Sequence, residues 1–399
     1  MFQLLTILAK ASKSNYSKSI DHSLQNLANL PSNRLNECDG YHTMAKSLRI
    51  LAGSEAFRTI KRDGLDKEAV KIVPGAAGGP KWLVLGRMDR VIFGEWFKDR
   101  QTPVDILGAS SGAWRFAAAA QADPAKAEAR LEETYITSRF DLSGTSRGIK
   151  EQCAKMVHAI LGETGIEEIL ANSKVRLHLM TARSTAFTSG EGKFSLGAPS
   201  AIAFAANGFS RNLLDHFFTR ALFSDPRSKR SFNWSDNLSS EAYFLSPSNL
   251  ADALLASGAI PVVTEGVTNI EGAAPGVYRD GGVTDYQFAS PLLGDNENGI
   301  VLYPHYAPTV TPGWLDKHLP WRRAKPDRLA KTVILTPSPE FISTLPGSKI
   351  PIRQDFVNMK DHERISLWRQ AADQAEQLAD ELREIIEKDS WNDVVEPLS

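Results

Sequence analysis

Two cysteines, Cys38 and Cys153, are all that 399 residues contain, so neither a disulfide framework nor a multi-cysteine metal site is available. No apolar run approaches the roughly 18 residues that a membrane-crossing helix needs. Charge of one sign is not in excess either: 46 Lys plus Arg stand against 47 Asp plus Glu, a formal net charge of -1. That balance predicts no nucleic-acid partner, local patches aside. With 42% hydrophobic and 23% charged residues, the composition excludes wholesale disorder and supports a sizeable core.

Met1 to Ala9 is mostly apolar, but no basic residue precedes it and Lys10 ends it early, unlike a signal peptide. Ser12 to Arg34 is rich in Ser and Asn and carries one acid, Asp21. Residues 1–43 therefore read as a poorly ordered extension, or as sequence upstream of a start at Met44. The expected location is cytoplasmic or peripheral at a membrane, with targeting left open.

Ala69 to Val73 is a short β-branched run that reads as a buried strand, and it enters the loop Gly75-Ala76-Ala77-Gly78-Gly79-Pro80. A helix is expected from Pro80 to about Phe97, because proline suits a first helical position. Val104 to Leu107 reads as a second strand leading into Gly108-Ala109-Ser110-Ser111-Gly112 and a helix over Ala113 to Gln121. Asp123-Pro124 signals another helix towards Arg139. Val175 to Thr181, Val277 to Arg279, Ile300 to Tyr303 and Thr332 to Leu335 are further strands, and Ser248 is expected to cap a helix through Leu255. Ser184 to Asn237 gives mixed signals. From Asp361 to Lys388, apolar residues recur at helical spacing, predicting one long amphipathic helix. Strands alternating with helices from residue 69 onward indicate an α/β fold with a largely parallel sheet.

Three loops carry potential chemistry. Gly108 to Gly112 places Ser110 at the centre of a sharp strand-to-helix turn, flanked by glycines where a β-carbon would collide with the crossing elements. A helix amino terminus there favours developing negative charge; small residues at such a turn also simply permit tight packing. The Gly75 loop fails as a phosphate-binding loop, since Pro80 replaces a required glycine and Trp82 a required hydroxyl. It suits an oxyanion hole better, with the amides of Gly78 and Gly79 pointing together, although an ordinary βα turn also favours glycine. Asp280-Gly281-Gly282 reads either as a plain turn or as a carboxylate placed to face the Ser110 hydroxyl.

Taken in order, the glycine loop, G-x-S-x-G and D-G-G resemble the patatin-like phospholipase family. Ala77-Gly78-Gly79-Pro80-Lys81-Trp82 stands where family members read roughly G-G-G-x-[KR]-G. Ala256-Ser257-Gly258-Ala259-Ile260-Pro261 resembles the small-residue stretch ending in proline that precedes the family aspartate. The likeness runs from about Val70 to about Pro291. Ala77 and Trp82 replace two family glycines, and Tyr286 and Phe288 stand where an Asn and a Pro are usual.

The resemblance implies a patatin-like three-layer fold, a central mostly parallel sheet flanked by helices, over residues 69–297. Residues 298–399 would add strands and the long helix to the same domain. It implies a lipid acyl hydrolase in which a Ser110–Asp280 dyad works through an acyl-enzyme, with Gly78 and Gly79 as oxyanion donors, Lys81 nearby, and Gly108, Gly112, Gly281 and Gly282 shaping the turns. No metal or organic cofactor is called for. The implied partner is a phospholipid or another acyl-ester lipid, with peripheral membrane contact and no transmembrane segment. A Ser110–Asp280–His305 triad is the competing hydrolase arrangement. A lipid-binding protein without useful turnover is the alternative from another class, and an acyltransferase would differ only in its acceptor. Trp314 to Arg323 mixes two tryptophans with basic residues; its default reading is a surface loop with the tryptophans packed inward, its alternative a lipid interface. Phe204, Phe209, Phe217 and Phe218 are candidates for an acyl pocket.

Overall fold

The computed structural model describes residues 47–140, 145–190 and 192–398. The expectations for residues 1–43 lie outside them. Among the described residues, eleven strands form one mixed, mostly parallel sheet flanked by helices. Its main path runs β11 (Val395–Pro397), β1 (Leu48–Ala52), β10 (Thr332–Pro337), β9 (Ile300–Pro304), β2 (Val70–Gly75), β3 (Val104–Ala109), β4 (Val175–Ser184), β5 (Phe218–Ser224) and β6 (Ser240–Phe244). Two further strands, β7 (Val267–Thr268) and β8 (Val277–Asp280), branch off through pairing of β8 with β4. The central strands β9, β2, β3 and β4 are mutually parallel. Strands from both ends of the described chain thus share a single sheet.

Parallel strands covered on both faces read as continuous apolar runs, and β3 is buried at all six positions. Alternation then divides the side chains. Val73, Ile106, Leu177, Leu179 and Leu302 face a core made with the helices. Ile72, Leu107, Met180 and Val301 face a second cluster closed by Phe232, Phe288, Leu292 and Leu293 from irregular segments.

Five helices matter for the site: α1 (Ser111–Ala119), α2 (Pro124–Thr137), α3 (Gly192–Phe209), α4 (Leu250–Ser257) and α5 (Asp361–Gln374). Asp123 caps α2 by accepting from the Lys126 amide, as its Asp-Pro start implies. Ser248 does not cap α4. Asn249 precedes it instead, with its side chain turned to the Ser246 amide and the Phe244 and Glu271 carbonyls. The expected helix from Pro80 to Phe97 is three shorter pieces, a 3₁₀ turn (Gly79–Val84), an α turn (Gly86–Asp89) and a wide π turn (Arg90–Trp96). The C-terminal helix is likewise two: α5 and α6 (Glu376–Glu387), joined through Ala375, yet Trp368, Ala372, Leu378, Leu382 and Ile385 keep one buried stripe.

α1 is pinned from behind. Arg115 reaches Asp89 through two charge-assisted bonds, Nε to Oδ2 at 2.6 Å and Nη2 to Oδ1 at 2.7 Å, with both side chains buried. Removing one member leaves the other charge buried and alone, so Asp89→Ala should lower stability by about 3–5 kcal/mol. Equilibrium urea unfolding of the variant against the parent measures this; a loss below about 1 kcal/mol contradicts the account.

Candidate active site

β2, β3 and β9 are parallel, so their carboxyl ends open at one edge of the sheet, where open α/β folds place ligands. The loops leaving these ends supply Gly78, Ser110 and Tyr306 to a single pocket of about 450 Å³. A wider depression along α5, lined by Arg139, His362 and Arg369, is shallow and lies apart from it.

Ser110 sits between β3 and α1 with φ 54° and ψ -127°, a conformation costly for a residue with a side chain. The surroundings leave no alternative path. A β-carbon on Gly108 would meet the Ala113 backbone at 2.6 Å, and one on Gly112 would meet the Gly75 carbonyl oxygen at 2.0 Å. Both flanking positions must be glycine for β2, β3 and α1 to approach this closely. The Ser110 amide donates to Ser257 Oγ at 2.9 Å, and Ser257 donates on to the Met180 carbonyl at 2.7 Å. Ser257, at the end of α4, therefore ties the elbow to β4.

The Ser110 hydroxyl donates to Asp280 Oδ2 at 2.7 Å. Asp280 ends β8; its amide donates to the Ala259 carbonyl at 2.9 Å, and its Oδ1 accepts from the Gly282 amide at 2.7 Å. Gly281 is required by proximity, since a β-carbon there would lie 2.2 Å from the Met180 oxygen. The stretch from Ala256 to Pro261 thus touches both partners, through Ser257 and Ala259, and puts Ile260 and Pro261 in the pocket wall. Downstream, Asp285 is held by buried Arg220, with Nε to Oδ2 at 2.7 Å, and Arg220 shares Asp236 with Arg211. This ionic network fixes the turn after Asp280 from the side away from the pocket.

The glycine loop lies opposite. The Tyr306 hydroxyl donates to the Ala77 carbonyl and accepts from Gln287, both at 2.7 Å. A β-carbon on Gly78 would strike the Tyr306 ring at 2.7 Å, and Gly79 has φ 59°. Among the described residues, neither the Gly78 nor the Gly79 amide donates to a carbonyl outside its own turn. Gly78 lines the pocket beside Ser110; Gly79 lies behind it, near the Arg353 guanidinium.

His305 belongs to no triad. It is fully buried and stacked on Tyr306, its Nδ1 is engaged with Ala307, and its Nε2 has no partner among the described residues. Burial pushes it down to about 4. The Asp280 oxygen that a histidine would occupy is already taken by Ser110.

Other expected residues fall elsewhere. Phe209 is 88% exposed and Phe204 45%, whereas Phe218 is buried in a separate cluster with Ala182 and Leu214. None of the four phenylalanines lines the pocket. The tryptophans of Trp314 to Arg323 do not pack inward: Trp321 is 71% exposed and Trp314 is 38% exposed at the pocket wall.

Sequence reasoning missed Arg353 and Gln354, which enter the pocket from a loop without any recognisable motif. It also missed Lys317 as a residue of the pocket wall. No family model matches this chain, and no curated protein matches it in sequence.

Burial raises the Asp280 carboxyl above its ordinary value of 3.8, opposed by the Ser110 and Gly282 hydrogen bonds and by the positive charges of Arg353 and Lys317. A base must be ionised to accept a proton, so reactivity of Ser110 should fall as acid protonates Asp280. Because its pKa is raised, the fall should begin above the usual carboxylate range of about 3.9. The rate of covalent modification of Ser110, followed from pH 4 to 7, measures the midpoint; a rate that stays flat down to pH 4 contradicts Asp280 as the base.

Proposed function

We propose that this protein is a serine acyl-ester hydrolase acting through a Ser110–Asp280 dyad. The observation that carries the reading is the 2.7 Å bond between Ser110 Oγ and Asp280 Oδ2 at a strained elbow inside a pocket. In the first half-reaction Ser110 Oγ bonds to the ester carbonyl carbon while its proton passes to Asp280 Oδ2. The resulting oxyanion lies towards the Gly78 amide, with the Gly79 amide adjacent. Such preorganised donors contribute about 2.7–4 kcal/mol each in acyl transfer. Collapse breaks the bond to the alcohol, which leaves with the proton from Asp280. Water then gives its proton to Asp280 and its oxygen to the acyl carbon, and Ser110 is regenerated as the carboxylic acid departs.

The lipid part of the reading has separate support. On α3 from Leu196 onward, the exposed positions Ala198, Ala201, Ile202, Phe204, Ala205, Gly208 and Phe209 are all uncharged, and the helix packs against the turn that carries Trp314. Exposed aromatics beside Arg322 and Arg323 suit a membrane interface. No helix among the described residues is long and apolar enough to cross a membrane.

A fluorophosphonate probe tests the chemistry. The parent should label at one site. Ser110→Ala should not label, and Asp280→Asn should label at least about 1000-fold more slowly, in the range seen when members of such a unit are removed. His305→Gln should stay within about threefold of the parent per folded molecule, far from the roughly 10⁴-fold loss expected of a triad histidine. Folded parent protein that fails to label overturns the proposal.

A further inference from the structure

Four charged side chains line the Ser110 pocket, and three are cations: Lys81, Lys317 and Arg353 against Asp280. Elsewhere in the described chain, buried and half-buried cations have protein partners, either carboxylates or, as for Arg100, backbone carbonyls. Arg115 has Asp89, Arg220 has Asp285 and Asp236, and Arg230 has Asp105 and Glu297. These three are not answered. Among the described residues none of their side chains makes a hydrogen bond or an ion pair. The nearby Asp355 is taken by Lys349, the Ile352 amide and the Trp368 indole.

What the two lysines have instead is the faces of aromatic rings. Lys81 Nζ lies 4.6 Å from the Tyr306 ring centroid, and Lys317 Nζ lies 4.2 Å from that of Tyr286. Ring faces hold a cation in place while leaving its N–H donors free to point elsewhere. Lys317 as a whole is exposed, but its ammonium lies over the Tyr286 ring at the pocket wall. Desolvation there, together with Arg353 and Lys81, pushes Lys317 down to about 7. Desolvation also lowers Lys81. Like charges gathered with no protein counter-charge beyond Asp280 are unfavourable in the empty site and become favourable when an anion enters.

The uncharged wall is mixed: Gln287, Thr309, Thr311 and Gln354 line the same pocket, as do Ile260, Pro261, Val283 and Ile352. Its polar part suits an anionic group with several acceptor oxygens.

We propose that Lys81, Lys317 and Arg353 form an anion subsite beside Ser110, and that the preferred esters carry a phosphate or carboxylate within a few bonds of the scissile carbonyl. The proposal rests on the dyad reading for its chemistry. The three cations hold the charged group, and Ser110 attacks the ester next to it. Arg353 and Lys317 also favour the ionised form of Asp280, so the same charges serve binding and the state of the base.

Matched substrates separate the sources of charge. One pair is 1-acylglycerol 3-phosphate against 1-acylglycerol with the same acyl chain, which places phosphate on the alcohol side. The other is mono-4-nitrophenyl glutarate against 4-nitrophenyl valerate, which places carboxylate on the acyl side. In at least one pair, kcat/KM should favour the anionic member by tenfold or more, and the pair that shows it identifies the source. Lys317→Met and Arg353→Met should each reduce that ratio at least fivefold; the ratio is insensitive to the folded fraction. Binding of inorganic phosphate to Ser110→Ala, measured by calorimetry, reads the subsite without turnover, and Lys317→Met in that background should weaken it at least fivefold. Ratios near one in both pairs, with Ser110 labelling normally, overturn the anion subsite and leave the dyad standing. Phosphate binding without labelling or hydrolysis overturns the dyad and leaves the subsite.

Discussion

A serine at φ 54° and ψ -127° cannot relax, and that constraint organises the site. The cost of the conformation, of order 1–3 kcal/mol, has to be met by the packing around it. Gly108 and Gly112 let β2, β3 and α1 close to backbone contact, and the Ser257 hydroxyl accepts the Ser110 amide. With the backbone held, the side chain has one direction to point. Asp280 waits there because its own amide is bound to Ala259, two residues beyond the serine that ties down the elbow. A short run, Ala256 to Pro261, thereby sets both ends of the 2.7 Å hydrogen bond.

The electrostatics complement this mechanical arrangement. A carboxylate buried in apolar surroundings is drawn towards its neutral form, which is useless as a base. Here burial acts in that direction, and the hydrogen bonds from Ser110 and Gly282, together with the positive charges of Arg353 and Lys317, act against it. The outcome is a group raised from its ordinary value and poised to exchange a proton with a hydroxyl at contact distance. Burial likewise favours the neutral form of His305, pushed down to about 4, and its ring, stacked on Tyr306 and engaged with the Ala307 backbone, makes no hydrogen bond to Ser110 or Asp280. A histidine late in the chain after an acid is a reasonable sequence-level rival, and only three-dimensional enclosure disqualifies it.

Which features were legible follows from how local their signals are. Buried parallel strands announce themselves as short apolar runs, and β2, β3 and β10 lie where such runs stand. The Ser110 elbow and the Asp280 turn were visible because each needs glycines within two or three positions. α3 was not visible: its solvent side is as apolar as its buried side, so the contrast that marks an amphipathic helix is missing. The segment after Pro80 misled for a different reason. Successive 3₁₀, α and π turns change the rotation per residue, and no single period describes them. Arg353 carried no signal at all. It occupies an irregular loop, and its place in the pocket arises from tertiary folding alone.

The uneven distribution of apolar surface has a functional logic of its own. A pocket built for long hydrocarbon would be expected to draw in Phe204, Phe209, Phe217 and Phe218, yet these sit on the outer face of α3 or in a separate cluster. The space beside Ser110 sets amides, hydroxyls and three unanswered cations among apolar residues such as Ile260, Pro261, Val283 and Ile352. Apolar contact is thus also offered outside, on α3, and unanswered positive charge inside. An ester with a charged end and an apolar end meets both demands at once, because its charged end can exchange water for Lys81, Lys317 and Arg353 while its hydrocarbon stays against the surface that α3 and Trp321 present. In that arrangement the charge sets the depth of binding, and the position of the carbonyl over Ser110 follows from it.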